Sequence, residues 1–146
     1  MVKKERHKMA VAVYAIIIRN NKILLSLRKN TGFRDGYYSL VAGHVEAEET
    51  IDEAMVRELK EETNIEVELE SLELATVMCR LGKGEDDDYM DFFFLINDYK
   101  GEIKNNEEEK CGELGFFDLD NMPSNTIDYV VKAITNALSG KRYDNF

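Results

Sequence analysis

Three carboxylates, Glu58, Glu61 and Glu62, stand at i, i+3 and i+4 in the run Arg57-Glu58-Leu59-Lys60-Glu61-Glu62-Thr63-Asn64-Ile65. On a helix these positions share one face. Like charges stacked there repel one another, and a cation between them relieves the repulsion. Hard divalent cations take oxygen ligands and commonly use carboxylates together with substrate phosphates. A glycine-containing loop, Gly43-His44-Val45-Glu46-Ala47-Glu48-Glu49, feeds the segment. The pattern therefore points to metal-assisted phosphate chemistry. For an isolated Glu-x-x-Glu-Glu, a solvated acidic helix is the plainer reading.

The elements that must position these residues follow from periodicity. A helix opens at Glu49 or Thr50 and runs to about Thr63, with Thr50 and Glu53 at capping-box spacing. Ile51, Ala54, Met55 and Leu59 give it an apolar stripe, and Asn64 suits a left-handed stop. Upstream, residues 9–19 and 22–27 read as a hairpin turning at Asn20-Asn21. A polar loop over 29–36 and a short strand over 37–41 follow. Downstream, 65–80 reads as one or two strands, 88–97 as a buried strand, 100–111 as a loop and 115–119 as a short strand. Residues 125–138 repeat at helical spacing. The tail from Ser139 shows no decisive pattern. No internal repeat or linker divides the chain, which points to a single layered α/β domain over residues 1–146.

Composition limits the rest. The 146 residues are 44% hydrophobic and 33% charged, ordinary for a folded domain with a sizeable core. The formal charge of −10 argues against a nucleic-acid polymer as partner. A small anionic substrate remains compatible, because a bound cation reverses the local field. No apolar run reaches membrane-spanning length, and no signal-peptide pattern is visible. Cys79 and Cys111 have no metal-type spacing, so a reduced cytoplasmic chain is expected. The acidic run at 85–88 lacks the alternating aspartates and later glutamate of a Ca²⁺ loop.

Gly43, Glu49, Arg57, Glu58, Leu59, Glu61, Glu62 and Ile65 together resemble the signature box of the Nudix hydrolases, here residues 43–65. Leu114–Pro123 resembles a late segment of many family members. Two positions depart from the pattern. Asn64 replaces a glycine, a change that asparagine tolerates through its readiness for positive φ. Val41-Ala42 stands where a Pro-Gly pair is common.

The resemblance implies an α/β/α sandwich with a mixed β-sheet and a loop–helix–loop catalytic motif, in the α/β (α+β) class. It implies that Glu58, Glu61 and Glu62 are catalytic and bind Mg²⁺ or Mn²⁺, with the Ala42 carbonyl as a further ligand. Many members add a carboxylate from a loop before the late strand, and Glu109 has the matching offset, beside Glu107 and Glu108. Glu49 and Arg57 are implied as a bracing ion pair, with Gly43 letting the backbone turn towards metal or phosphate. Arg28, Phe33, Tyr38 and His44 are candidate substrate contacts, and Lys110 is a candidate phosphate contact. Asn125 is either a base contact, as the family implies, or an N-cap.

The expected activity is hydrolysis of the diphosphate linkage in a nucleoside diphosphate derivative. A nucleoside triphosphate, normal or oxidised, cut to monophosphate and pyrophosphate is the favoured case. Nucleotide sugars and dinucleoside polyphosphates are alternatives. So is a Nudix-fold module that senses nucleotides without cutting them, since fold alone does not fix function. A monomer or homodimer is expected.

Overall fold

The computed structural model of the chain describes residues 2–146. Strand β1 (Ala10–Ile16) shows how its two cores are divided. Ala12, Tyr14 and Ile16 point into one, while Val13, Ala15 and the following Ile17 point into the other. A strand buried on both faces reads as a continuous apolar run, which is why β1 carries no polar alternation.

The remaining elements are β2 (Ile18–Arg19), β3 (Lys22–Arg28), β4 (Tyr38–Ser39), β5 (Val41–His44) and α1 (Ile51–Thr63). They continue with β6 (Leu72–Arg80), β7 (Tyr89–Ile96), β8 (Cys111–Asp118), α2 (Asp128–Ser139) and β9 (Tyr143–Asn145). A mixed five-stranded sheet has the order β5-β1-β7-β6-β9, with β1/β7 and β6/β9 parallel. A second sheet joins β2, β4 and β8 to β3 in antiparallel pairs. Helix α1 packs with the Val13–Ile17 face, and α2 with the Ala12–Ile16 face. The architecture is the expected α+β arrangement with a helix on each face of a mixed sheet, though the strands divide into two sheets.

Two local expectations are corrected, and one open segment gains a structure. The hairpin at Asn20-Asn21 exists, with φ of 52° and 60° as a tight type I′ turn requires, but only Ile18–Arg19 pairs back onto β3. Ala10–Ile16 belongs to the other sheet, because the chain changes sheets at Ile17. Tyr38–Ser39 and Val41–His44 likewise join different sheets. The undetermined tail forms β9, a parallel edge on β6 with Val77 opposite Tyr143.

Helix α1 begins and ends as its sequence dictates. Glu53 N–H donates to Thr50 Oγ1 at 3.2 Å, and Thr50 N–H donates to Glu53 Oε1 at 2.9 Å. Asn64 closes the helix at φ 70°. Ala54, Met55 and Leu59 are buried beneath it. Loop 97–110 is tied to its last turn: Lys104 N–H donates to the Thr63 carbonyl at 2.9 Å and Asn106 N–H to the Glu62 carbonyl at 3.1 Å. These bonds satisfy carbonyls that a helix end leaves free. Thr50→Ala should lower unfolding stability by about 1 kcal/mol, read by urea denaturation with an unchanged m-value.

Candidate active site

The outward side of α1 meets the free edge of β5, and one glycine sets their separation. A methyl group built on Gly43 would overlap the Glu58 carboxylate. Gly43 lies within a strand and is not among the positive-φ residues, so close approach, not an unusual turn, requires glycine there. Val45 N–H donates to the Val11 carbonyl at 3.0 Å. Hydrogen-bonded pairs alternate along an antiparallel ladder. Val13↔Gly43 therefore bonds inward, while the peptide groups of Ala42 and His44 face away from β1, towards α1.

Arg57 fills the resulting corner. Its Nε and Nη2 donate to Glu49 Oε2 and Oε1 at 2.7 and 3.0 Å, a bidentate pair across the loop. Nη2 also donates to the His44 carbonyl at 3.0 Å. Nη1 donates to Glu58 Oε1 at 2.7 Å and to Glu61 Oε2 at 3.2 Å. The guanidinium holds Glu49 below the usual carboxylate range. Among the described residues, no three His, Cys, Asp or Glu side chains are gathered around one point. Arg57, bonded to both Glu58 and Glu61, stands between them.

The three carboxylates differ in environment. Glu61 is half exposed at 51%, and Glu58 only 13%. Burial raises the Glu58 pKa, against the pull of Arg57 and with the help of Glu61 and Glu107. Glu62 is pushed up to about 9, first by burial, then by the charges of Glu58 and Glu107. The Ala42 amide beside it works in the opposite direction. Glu62 Oε2 is shielded from solvent and has no hydrogen-bond partner among the described residues.

These groups line a cleft of about 540 Å³. Arg28, Phe33, Ala42 and His44 lie on its walls, with Lys110. Arg28 sits at a β-bulge where β3 meets Cys111, and it donates to the Phe33 carbonyl at 2.7 Å. Such bulges re-aim side chains beside functional sites. Of the acidic run, Glu107 lines the cleft and Glu109 does not. Lys110 and Cys111 N–H both donate to the Glu107 carbonyl, at 2.9 and 2.8 Å, in a tight turn that carries Glu109 outward.

Tyr38 and Asn125 also lie off the cleft wall. Tyr38 donates to Glu113 at 3.0 Å. Asn125 is not the cap of α2, which is Ile127; its side chain donates to the Gly36 carbonyl at 2.9 Å. The cleft also contains Tyr14, Arg80, Tyr89 and Tyr129, none of which stood out in the sequence. Their only signal was Asp91, the sole charged residue within the otherwise apolar run Tyr89–Ile96.

The NUDIX domain model matches residues 8–134. The chain belongs to the Nudix family. As a Nudix protein it is a hydrolase of phosphoric anhydrides. It is 39% identical over 120 residues to an ADP-ribose pyrophosphatase of Methanocaldococcus jannaschii, covering 82% of this chain and 68% of that protein. It is 44% identical over 59 residues to an Escherichia coli CTP pyrophosphohydrolase, covering 40% and 44% of the two. Among solved structures, a MutT Nudix hydrolase from Burkholderia pseudomallei superposes with a TM-score of 0.81 at 26% identity. That match spans 89% of this chain and 98% of the other. No helix among the described residues is long and apolar enough to cross a membrane.

Native Glu62 keeps its proton up to about pH 9, whereas an ordinary glutamate loses it near 4.5. Across that window the native state binds more protons than the unfolded one, so stability falls as pH rises. In EDTA, the stability of Glu62→Gln relative to wild type should therefore increase from pH 5 to pH 9 in denaturant titrations. A constant difference would mean that Glu62 titrates normally.

Proposed function

We propose that the cleft hydrolyses a nucleoside triphosphate to a monophosphate and pyrophosphate, with Mg²⁺ or Mn²⁺ as cofactor. The observation that carries this reading is Glu62 Oε2, a solvent-shielded carboxylate oxygen with no donor, beside the charges of Glu58 and Glu107. Once ionised, that oxygen needs a cation in place of the proton that burial otherwise keeps there, and an all-oxygen donor set suits a hard divalent ion. Glu58, Glu61, Glu62 and the Ala42 carbonyl would hold it, with Glu107 in the place first expected of Glu109. When bound, the ion polarises phosphoryl oxygens and offsets the charge of the leaving group.

The chain's own residues supply the rest. Arg28 and Lys110 are the cations on the cleft walls best suited to receive the phosphates. Water attacks one phosphorus, the phosphorus–oxygen bond to the neighbouring phosphate breaks, and one carboxylate of the triad accepts the proton of the water. Arg57 acts as a brace, since its donors are already taken by Glu49, His44, Glu58 and Glu61. The family match over 8–134 supports reading residues 1–146 as one such domain.

ADP-ribose is the second reading, favoured by the 39% identical archaeal relative. It carries the same diphosphate, and cleavage would give AMP and ribose 5-phosphate.

Glu61→Gln and Glu62→Gln should each cut Mg²⁺-dependent turnover by at least about 100-fold, beyond the usual loss from altering an outer-shell partner. Both variants should still unfold cooperatively. Turnover, read as released pyrophosphate or AMP, that stayed at wild-type level in both would exclude this site.

A further inference from the structure

The wall of the cleft away from the α1 carboxylates holds an arginine that the hydrolysis does not use. Arg80 is 8% exposed and Asp91 is fully buried. In the β6–β7 ladder Arg80 lies opposite Tyr89, and Met78 opposite Asp91, so the guanidinium reaches its carboxylate diagonally. Nε donates to Asp91 Oδ2 at 2.9 Å, and Nη2 lies 3.5 Å from Oδ1. The guanidinium carbon is 4.3 Å from the ring centre of Tyr89 and 4.2 Å from that of Tyr129. Rings and carboxylate together fix its plane.

One edge of that plane is left over. Nη1 has no hydrogen-bond partner among the described residues, yet it is not among the atoms shielded from solvent. Because Arg80 lines the cleft, these spare N–H groups face whatever fills it. Asp91 already offsets the charge of Arg80, so its offer to a ligand is directional hydrogen bonding more than net charge. Arg28 and Lys110 have no such buried partner and remain the better phosphate ligands. A guanidinium edge matches two adjacent acceptors, as in arginine paired with O6 and N7 of guanine. Cytosine presents O2 beside N3. Adenine places its amino group next to each ring acceptor on those edges, so one donor would meet another donor.

We infer that Arg80, positioned by Asp91, Tyr89 and Tyr129, is the base-selecting residue of the cleft, favouring guanine or cytosine nucleotides over adenine nucleotides. The inference rests on the cleft being a nucleotide site. It favours the triphosphate reading over ADP-ribose.

Three nucleotides and two variants decide it. Wild-type kcat/KM with Mg²⁺ should favour GTP or CTP over ATP by on the order of tenfold or more, and whichever of the two leads identifies the base. Arg80→Lys keeps the charge but loses the planar fork. The double variant R80M/D91L replaces a buried ion pair with apolar side chains, a change that folds commonly tolerate. In either variant that unfolds cooperatively, the preference should collapse to within about threefold. Equal or better use of ATP by the wild type, or a preference that survives in a folded variant, overturns the inference. GMP, CMP and AMP have no anhydride to cut, and calorimetric titration with them reads the same preference without turnover. Failure to hydrolyse any triphosphate would sink the proposed function. Equal binding of the three monophosphates would sink the role of Arg80.

Discussion

Carboxylate crowding at the corner between β5 and α1 is the constraint on which the site depends. Glu58 feels the charges of Glu61 and Glu107, and Glu62 those of Glu58 and Glu107, in a chain that already carries a formal charge of −10. Two things hold the corner together without a divalent ion: the Arg57 guanidinium and the proton that burial keeps on Glu62. The scaffold is fitted to this crowding. The missing side chain of Gly43 lets Glu58 approach the strand, the capping box fixes where α1 starts, and backbone bonds from loop 97–110 bring Glu107 to its last turn.

The cleft then reads as a gradient of chemistry. One end is acidic and suited to a cation. Arg28 and Lys110 offer positive charge beside it. Further along, Arg80 has its charge cancelled by Asp91 and retains only directed donors. A nucleotide has the same order of groups, from a metal-bound phosphate chain to a neutral base edge. Three tyrosines, Tyr14, Tyr89 and Tyr129, surround the neutral end and give it the apolar lining that makes hydrogen bonds selective.

Helix α1 was legible in the sequence because every determinant is local. The apolar stripe, Thr50 with Glu53, and Asn64 each act within a few residues, and the carboxylates share a face by helical geometry alone. Partners in the sheets were not legible. The run from Val11 to Ile18 is apolar throughout, so alternation does not reveal that it changes sheets at Ile17. Glu107 and Glu109 have the same residue type two positions apart, and only the turn at 107–111 decides which faces the cleft. Arg80 and Asp91 lie eleven residues apart on strands whose register no local pattern fixes. Tyr38 and Asn125 were misplaced for the same reason: their neighbours, Glu113 and Gly36, come from distant parts of the chain.

If a divalent ion belongs in the acidic corner, it must displace the proton from Glu62, and metal binding releases protons that its ligands held. Isothermal titration of metal-free protein with Mn²⁺ at pH 7.5, repeated in buffers of different ionisation enthalpy, measures that exchange directly. Release of close to one proton per site is expected in the wild type, and none in Glu62→Gln. Mn²⁺ binding with no proton release from the wild type would contradict it.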